Sequence, residues 1–302
     1  MSLQLLFDAL ALGGIHAIAA LGIALIFGVM RLVNFAHGQF IACAVFALIL
    51  PSADALAVLG LGRLPAPVLV PVILAVGAGL ALAAEALVFR PMRNASPVTL
   101  MVGSFALGVA LQNLLLVLYG GRPKAISLWA GLGHPVRIGS AEVPLLQLIV
   151  IAAIIVILVG LALLLRRSRI GLEMRAAAED FGMARMLGVP ANRVISGAFA
   201  LSGSLAAVVA LVLVAQTGIA DVRMGGQIML VAFIATVVGG MGSLSGAVVA
   251  GLGIGAVSAL LQAGLPPEAR PFRDAFLYAA VILVLLFRPQ GLFAPVGTRT
   301  RV

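Results

Sequence analysis

An all-α fold is predicted here: a polytopic transmembrane helical bundle of about eight or nine membrane segments, broken or re-entrant helices among them. Three observations predict it. Of 302 residues, 63% are hydrophobic and only 10% charged, and the mean hydropathy is +1.23. A single soluble core could not hide that apolar load behind so little charge. Apolar stretches near the roughly 20 residues a bilayer requires recur along the chain, and one long polar passage, 166–193, lies between two of them. Residues 1–302 therefore read as a single transmembrane domain with a cytoplasmic loop at 166–193.

The stretches fall at 9–30, 37–50, 66–89, 98–118, 143–165, 194–215, 228–262 and 274–287. Before the first, MSLQLLFDALALGG has no basic region and carries Asp8, so a cleaved signal peptide is not expected. The second is short and follows the polar run RLVNFAHGQF, which predicts a discontinuous helix near Asn34 to Gln39. Such a break survives at membrane depth only against protein or a water-filled path, so Asn34, His37 and Gln39 are candidate path residues, with a satisfied break or turn cap as the alternative. The third carries Glu85 one turn before Arg90, the spacing of a structural ion pair at a helix end. The fourth carries Gln112 and Asn113, which can bond a neighbouring helix or face a solute. The run 228–262 exceeds one span and is interrupted by GGMGS at 239–243, predicting two short half-spans or a re-entrant pair. Small residues four apart, at Gly77 and Ala81, Gly242 and Gly246, Gly251 and Gly255, predict close helix crossings.

The passage 166–193 holds six arginines and three acids, Glu173, Glu179 and Asp180. Within it Met174, Ala177, Phe181 and Ala184 recur at helical spacing, and Gly188 with Pro190 supplies a stop. One short amphipathic helix, presented in the cytosol, is the expectation. If both halves of 228–262 cross, an external N-terminus puts 12 of the 19 basic residues inside: Arg31, Arg90, Arg93, the six of the loop, Arg288, Arg299 and Arg301. That bias agrees with the positive-inside rule. The net charge of +9 thus marks cytoplasmic loops and anionic headgroups rather than nucleic acid.

Enzyme signatures are missing from the sequence. The sole lysine, Lys124, lies between Pro123 and Ala125, so no phosphate-binding P-loop exists. His16, His37 and His134 are scattered, Cys43 is alone, and no metal-binding or nucleophile motif accompanies them. A secondary transporter would need a coupling-ion site at mid-membrane, and the chain offers only Glu85, near a helix end.

The runs ALGIALIFGVMRLVNFAHGQF, EALVFRPMR, GSFALGVALQNLLLVLYG, the 171–204 segment, GGMGSLSGAVVAGLGIG and LLFRPQGLF occur in that order nearly end to end. Together they resemble the inner-membrane permease subunits of bacterial branched-chain amino acid ABC importers. The resemblance implies that RAAAEDFGMARMLGV acts as the loop seated in a cleft of the ATPase subunit, with Glu173, Arg175, Ala177, Glu179, Asp180, Phe181, Ala184 and Gly188 as coupling residues. The candidate translocation path is Asn34, His37, Gln39, Gln112 and Asn113, polar residues within or beside apolar runs. The resemblance further implies two ATP-binding subunits holding ATP and Mg, a second permease subunit, a periplasmic or extracellular solute-binding protein, and no cofactor in this chain. Family members usually show Glu where this chain has Gln39, and a glycine-containing version of AAVVALVL after Ser204. The implied solute is a branched-chain or similar small amino acid; the wider family also handles urea, short amides and other small carboxylates.

Overall fold

The computed structural model describes residues 3–52, 54–138 and 141–293. Six helices in it are long and apolar enough to cross a membrane: α1 (Leu3–Met30), α3 (Ala66–Ala84, extended by a π-helical turn Glu85–Phe89), α4 (Pro97–Tyr119), α5 (Leu145–Arg167), α8 (Ala191–Thr217) and α10 (Leu244–Gly264). Between and after them come the shorter helices α2 (His37–Ala47), α6 (Arg169–Glu179), α7 (Phe181–Met186), α9 (Met224–Gly239) and α11 (Arg273–Phe287). The protein is a polytopic helical membrane protein.

Helix boundaries follow capping chemistry. Ser96 Oγ accepts from Thr99 N at 3.2 Å ahead of Pro97, opening α4. Ser243 Oγ accepts from Gly246 N at 3.0 Å and opens α10. Each supplies an acceptor to an N–H with no partner inside its helix. The 228–262 run resolves into α9 and α10 joined by a turn at 240–243, where Gly240 and Gly242 take φ of 100° and 92°. Those left-handed angles explain why the interruption is glycine-rich.

Burial sorts the layers. In α1 and α8, 78% of the most apolar window is buried, against 22% in α4 and α5, so the first pair forms the centre and the second lies at the periphery of the bundle. Helix α1 packs on α8, α9 and α10, and α8 packs on α2 and α3. Where α3 crosses α8, a Cβ on Gly77 would meet the Gly203 carbonyl, and one on Gly203 the Gly77 carbonyl. Backbones this close exchange van der Waals contact for the hydrophobic drive that lipid withholds.

The bundle is mostly helical, as expected of an all-α fold, with two short ribbons added in the connections. Strands β1 (Lys124–Ala125) and β4 (Ile219–Ala220) pair antiparallel, as do β2 (Pro135–Ile138) and β3 (Ala141–Pro144). They lie in connections, where unpaired backbone groups find partners across loops. Leu56 also bridges to Ala125, and Lys124 Nζ donates to the carbonyls of Ser52 at 2.6 Å and Asp54 at 2.9 Å. The α2–α3, α4–α5 and α8–α9 connections therefore meet on one face. On the other, Arg31 reaches Ala178, Arg93 reaches Asn192, and Leu292 N donates to Val238 O at 2.7 Å.

Candidate translocation path and coupling segment

Helix α1 stops at Met30, Arg31 adopts φ 55°, and α2 starts at His37, so the predicted break spans 31–36. Its polar residues divide by role. Asn34 is fully buried and its Oδ1 accepts from Ala36 N at 3.0 Å, a local turn bond. His37, also fully buried, places Nδ1 3.0 Å from Ser202 Oγ on α8 and presses its ring against Gly22 of α1. Ser104 on α4 accepts from Phe35 N at 3.1 Å. These contacts fasten the break to three helices. Asn113 is exposed and donates to Val109 O, 2.8 Å away in its own helix.

Gln39 and Gln112 come together instead. They line a cavity of about 250 Å³ between α2, α4 and α9, walled by Phe35, Phe105, Met229 and Phe233. Gln39 Oε1 is buried and has no hydrogen-bond partner among the described residues. The arrangement is an apolar chamber with two primary amides. Of the five expected path residues, the structure gathers these two, assigns Asn34 and His37 to packing around the break, and leaves Asn113 on the periphery. The aromatic walls escaped sequence reasoning, since a phenylalanine facing a cavity and one facing lipid look alike in an apolar run.

The passage 166–193 forms two helices where one was expected. Asp180 leaves helical geometry (φ −146°), and its Oδ1 accepts from Met183 N at 2.9 Å, capping α7. Ser168 opens α6 in the same way, accepting from Gly171 N at 3.0 Å. Gly188 (φ 87°) closes α7, and Val189 N then reaches Ala184 O at 3.0 Å. Arg175 folds its guanidinium back onto the carbonyls of Leu165 and Arg166, the orphan acceptors at the end of α5. Arg31 Nη2 donates to Ala178 O at 2.7 Å, joining the last turn of α6 to the break.

The apolar stripe of this segment faces inward. Ala177 and Ala184 are each only 4% exposed, Met174 is equally buried and Phe181 is half-buried. Gly171 lies on the backbone of Leu165, and Met174 covers Gly197 of α8. Residues expected to meet a partner thus dock the segment onto its own bundle, because the bundle offers the nearest apolar surface. Facing outward are Met183, Met186 (82% exposed) and Leu187 (79% exposed), beside Glu179 and Asp180. Glu173 is half-buried.

A third polar cluster anchors the same face. Glu85 is 1% exposed; Arg90 Nη2 lies 3.0 Å from its Oε2, and Arg93 pairs with its Oε1. Ser196 Oγ donates to Oε2 at 3.2 Å, and Arg93 also donates to Asn192, so the cluster ties the end of α3 to the start of α8. This is the ion pair that the spacing of Glu85 and Arg90 predicts.

Comparison with known proteins adds the family context. A family model described as the permease component of branched-chain amino acid transport systems matches residues 5–285. The chain is 29% identical over 296 residues to the high-affinity branched-chain amino acid transport system permease protein BraD of Pseudomonas aeruginosa, covering 96% of this chain and 95% of that one. It is 30% identical over 298 residues to the corresponding LivH protein of Escherichia coli K12, covering 96% and 94%. It is 34% identical to the fructose import permease protein FruF of Bifidobacterium longum, over 147 residues that make up 46% of this chain and 40% of that one. No solved structure matches the chain significantly.

Proposed function

Because the chain belongs to the branched-chain amino acid transport permease family, as a multi-pass permease component of a bacterial ABC transporter and not its ATPase, we propose that it forms half of an importer's pathway for branched-chain or similar small amino acids. A second permease subunit supplies the other half, two ATP-binding subunits hold ATP and Mg, and a solute-binding protein delivers from outside. The near full-length match to amino acid permeases carries this reading; the fructose permease shares under half of the chain.

Nine membrane segments are the topology we favour: the six span-length helices with α2, α9 and α11. Pairing of β1 with β4 supports it, because it sets the end of α8 and the start of α9 on the face where α4 ends. The bond from Leu292 to Val238 supports a crossing by α9 in the same way, at the opposite face. An external N-terminus then places the 166–193 loop in the cytosol, as its arginines favour.

Coupling is assigned to that loop. Met183, Met186 and Leu187 form the surface that meets an ATP-binding subunit, since exposed apolar groups at the water face are otherwise unfavourable. Arg175, Ala177, Asp180, Phe181, Ala184 and Gly188 shape and seat the loop, with Glu173 and Glu179 flanking it. The chamber of Gln39 and Gln112 suits an aliphatic amino acid in passage: apolar walls accept the side chain, and two neutral amides touch its polar end without capturing it. In a Cys43→Ser background, single cysteines from Val33 to Phe40 are expected to react with a small water-soluble thiol reagent at Phe35 and Gln39 and to resist it at Asn34 and His37. Uniform protection in every nucleotide state removes the path from this region. The function itself is tested by reconstituting the complete transporter and measuring ATP-dependent uptake of leucine, urea and fructose in parallel. Leucine uptake is expected; fructose uptake without leucine uptake would overturn the substrate while leaving the permease in place.

A further inference from the structure

A second cavity, of about 680 Å³, opens at the cytoplasmic end of the bundle, bounded by the end of α1, the connection before α4, α7 and the start of α8. Arg31, Arg93 and Arg185 line it, and no acidic residue does among the described residues. Glu85, outside the lining, already pairs with Arg93, so the positive charge that favours an anion in the hollow is chiefly that of Arg31 and Arg185. Two details sharpen the expectation. Arg93 Nε is buried without a hydrogen-bond partner among the described residues, although both terminal nitrogens of that guanidinium are engaged by Asn192 and Glu85. The long helix α8 also begins here, at Pro190 and Ala191, with no side chain capping its free N–H groups.

Asn94 and Asn192 add two amides to the lining, and the rest of it is apolar: Met30 ends the first span, and Leu100 and Ile195 belong to the opening turns of α4 and α8. In the proposed topology those positions set the hollow where spans enter and leave the bilayer, at headgroup depth. Basic side chains over an apolar floor at that depth match a phospholipid rather than a fully hydrated ion. We infer that the cavity binds the phosphate of an anionic phospholipid of the cytoplasmic leaflet. The leaflet, though not the binding, rests on the orientation proposed above. The bound headgroup would touch α7 and the 31–36 break together through Arg185 and Arg31, so occupancy would brace the coupling loop against the membrane helices.

The test is native mass spectrometry of the complete transporter in neutral detergent, titrated with phosphatidylglycerol or phosphatidylcholine. Wild type is expected to retain phosphatidylglycerol preferentially. Arg185→Gln should weaken that retention by about fivefold, and Arg31→Gln with Arg185→Gln should weaken it further. Equal retention of the two lipids, or unchanged retention in both variants, overturns the site. Inorganic phosphate that displaces phosphatidylglycerol while the preference holds would confirm the phosphate chemistry; phosphate bound with no lipid preference would overturn the lipid source. Loss of the ATP-binding subunits from Arg185→Gln with lipid retention intact would assign the arginines to a protein partner instead. Detergent exposes both faces, so these results do not depend on orientation, and their failure leaves the permease function standing.

Discussion

Glu85→Ala is expected to cost roughly 3 kcal/mol of stability, the largest effect of a single substitution away from the central helix crossings. The carboxylate is 1% exposed and takes bonds from Arg90, Arg93 and Ser196, so its removal leaves cationic nitrogens beside a hole with nothing to compensate them. Solvent decides how the loss divides. Arg90 is 50% exposed and Arg93 only 21%, so Arg90→Gln should cost less than about 1 kcal/mol and Arg93→Gln more. Glu85→Gln keeps an acceptor for Ser196 and should fall between Glu85→Ala and Arg90→Gln. Thermal unfolding of the detergent-solubilised transporter checks the order; equal midpoints for Glu85→Ala and Arg90→Gln would show that the cluster is not an anchor.

Met186→Asp is expected to leave the permease folded and to abolish its capture of the ATP-binding subunits. The side chain is 82% exposed, so the chain itself loses little. A partner closing over Met183, Met186 and Leu187 would have to bury an unpaired carboxylate, a cost of several kcal/mol and thus at least a hundredfold in affinity. Ala177→Asp is the informative contrast. Ala177 is 4% exposed within the chain, so an acid there should lower the yield of folded permease before any partner is involved. Co-purification of the ATP-binding subunits, normalised to folded permease, separates the two. Full capture by Met186→Asp would move the docking surface elsewhere.

The spans were legible because lipid makes the length of an apolar run a direct physical quantity. The stretches 66–89, 98–118 and 143–165 correspond to Ala66–Phe89, Pro97–Tyr119 and Leu145–Arg167. Glu85 was legible for a similar reason: an acid in an apolar run must find a cation, and Arg90 and Arg93 follow closely. Other features were not. The stripe of Met174, Ala177, Phe181 and Ala184 reports that one side of a helix will be covered, and it does not say by what; here the covering surface is the chain's own bundle. Asp180 reads equally well inside a helix and as the cap that divides one. Asn34, His37 and Gln39 are alike in being polar near a break, and only the direction of each side chain separates fastening from lining. The β2–β3 ribbon is too short for a periodic signal.

The two ends of the bundle are held by different kinds of bond. At one end, main-chain pairing between β1 and β4 and the bridge from Leu56 to Ala125 weave three connections into one plate, with the buried ammonium of Lys124 riveting a strand to the loop beside it. At the opposite end, side chains carry most of the ties: Arg31 to Ala178, Arg93 to Asn192, and the buried Glu85 cluster, with main-chain bonds from Leu292 and Phe293 to the end of α9 beside them. Under the proposed function, a pull on the 166–193 loop is expected to act first on the end tied by side chains, whose bonds can be exchanged one at a time, and to reach the strand-paired end last.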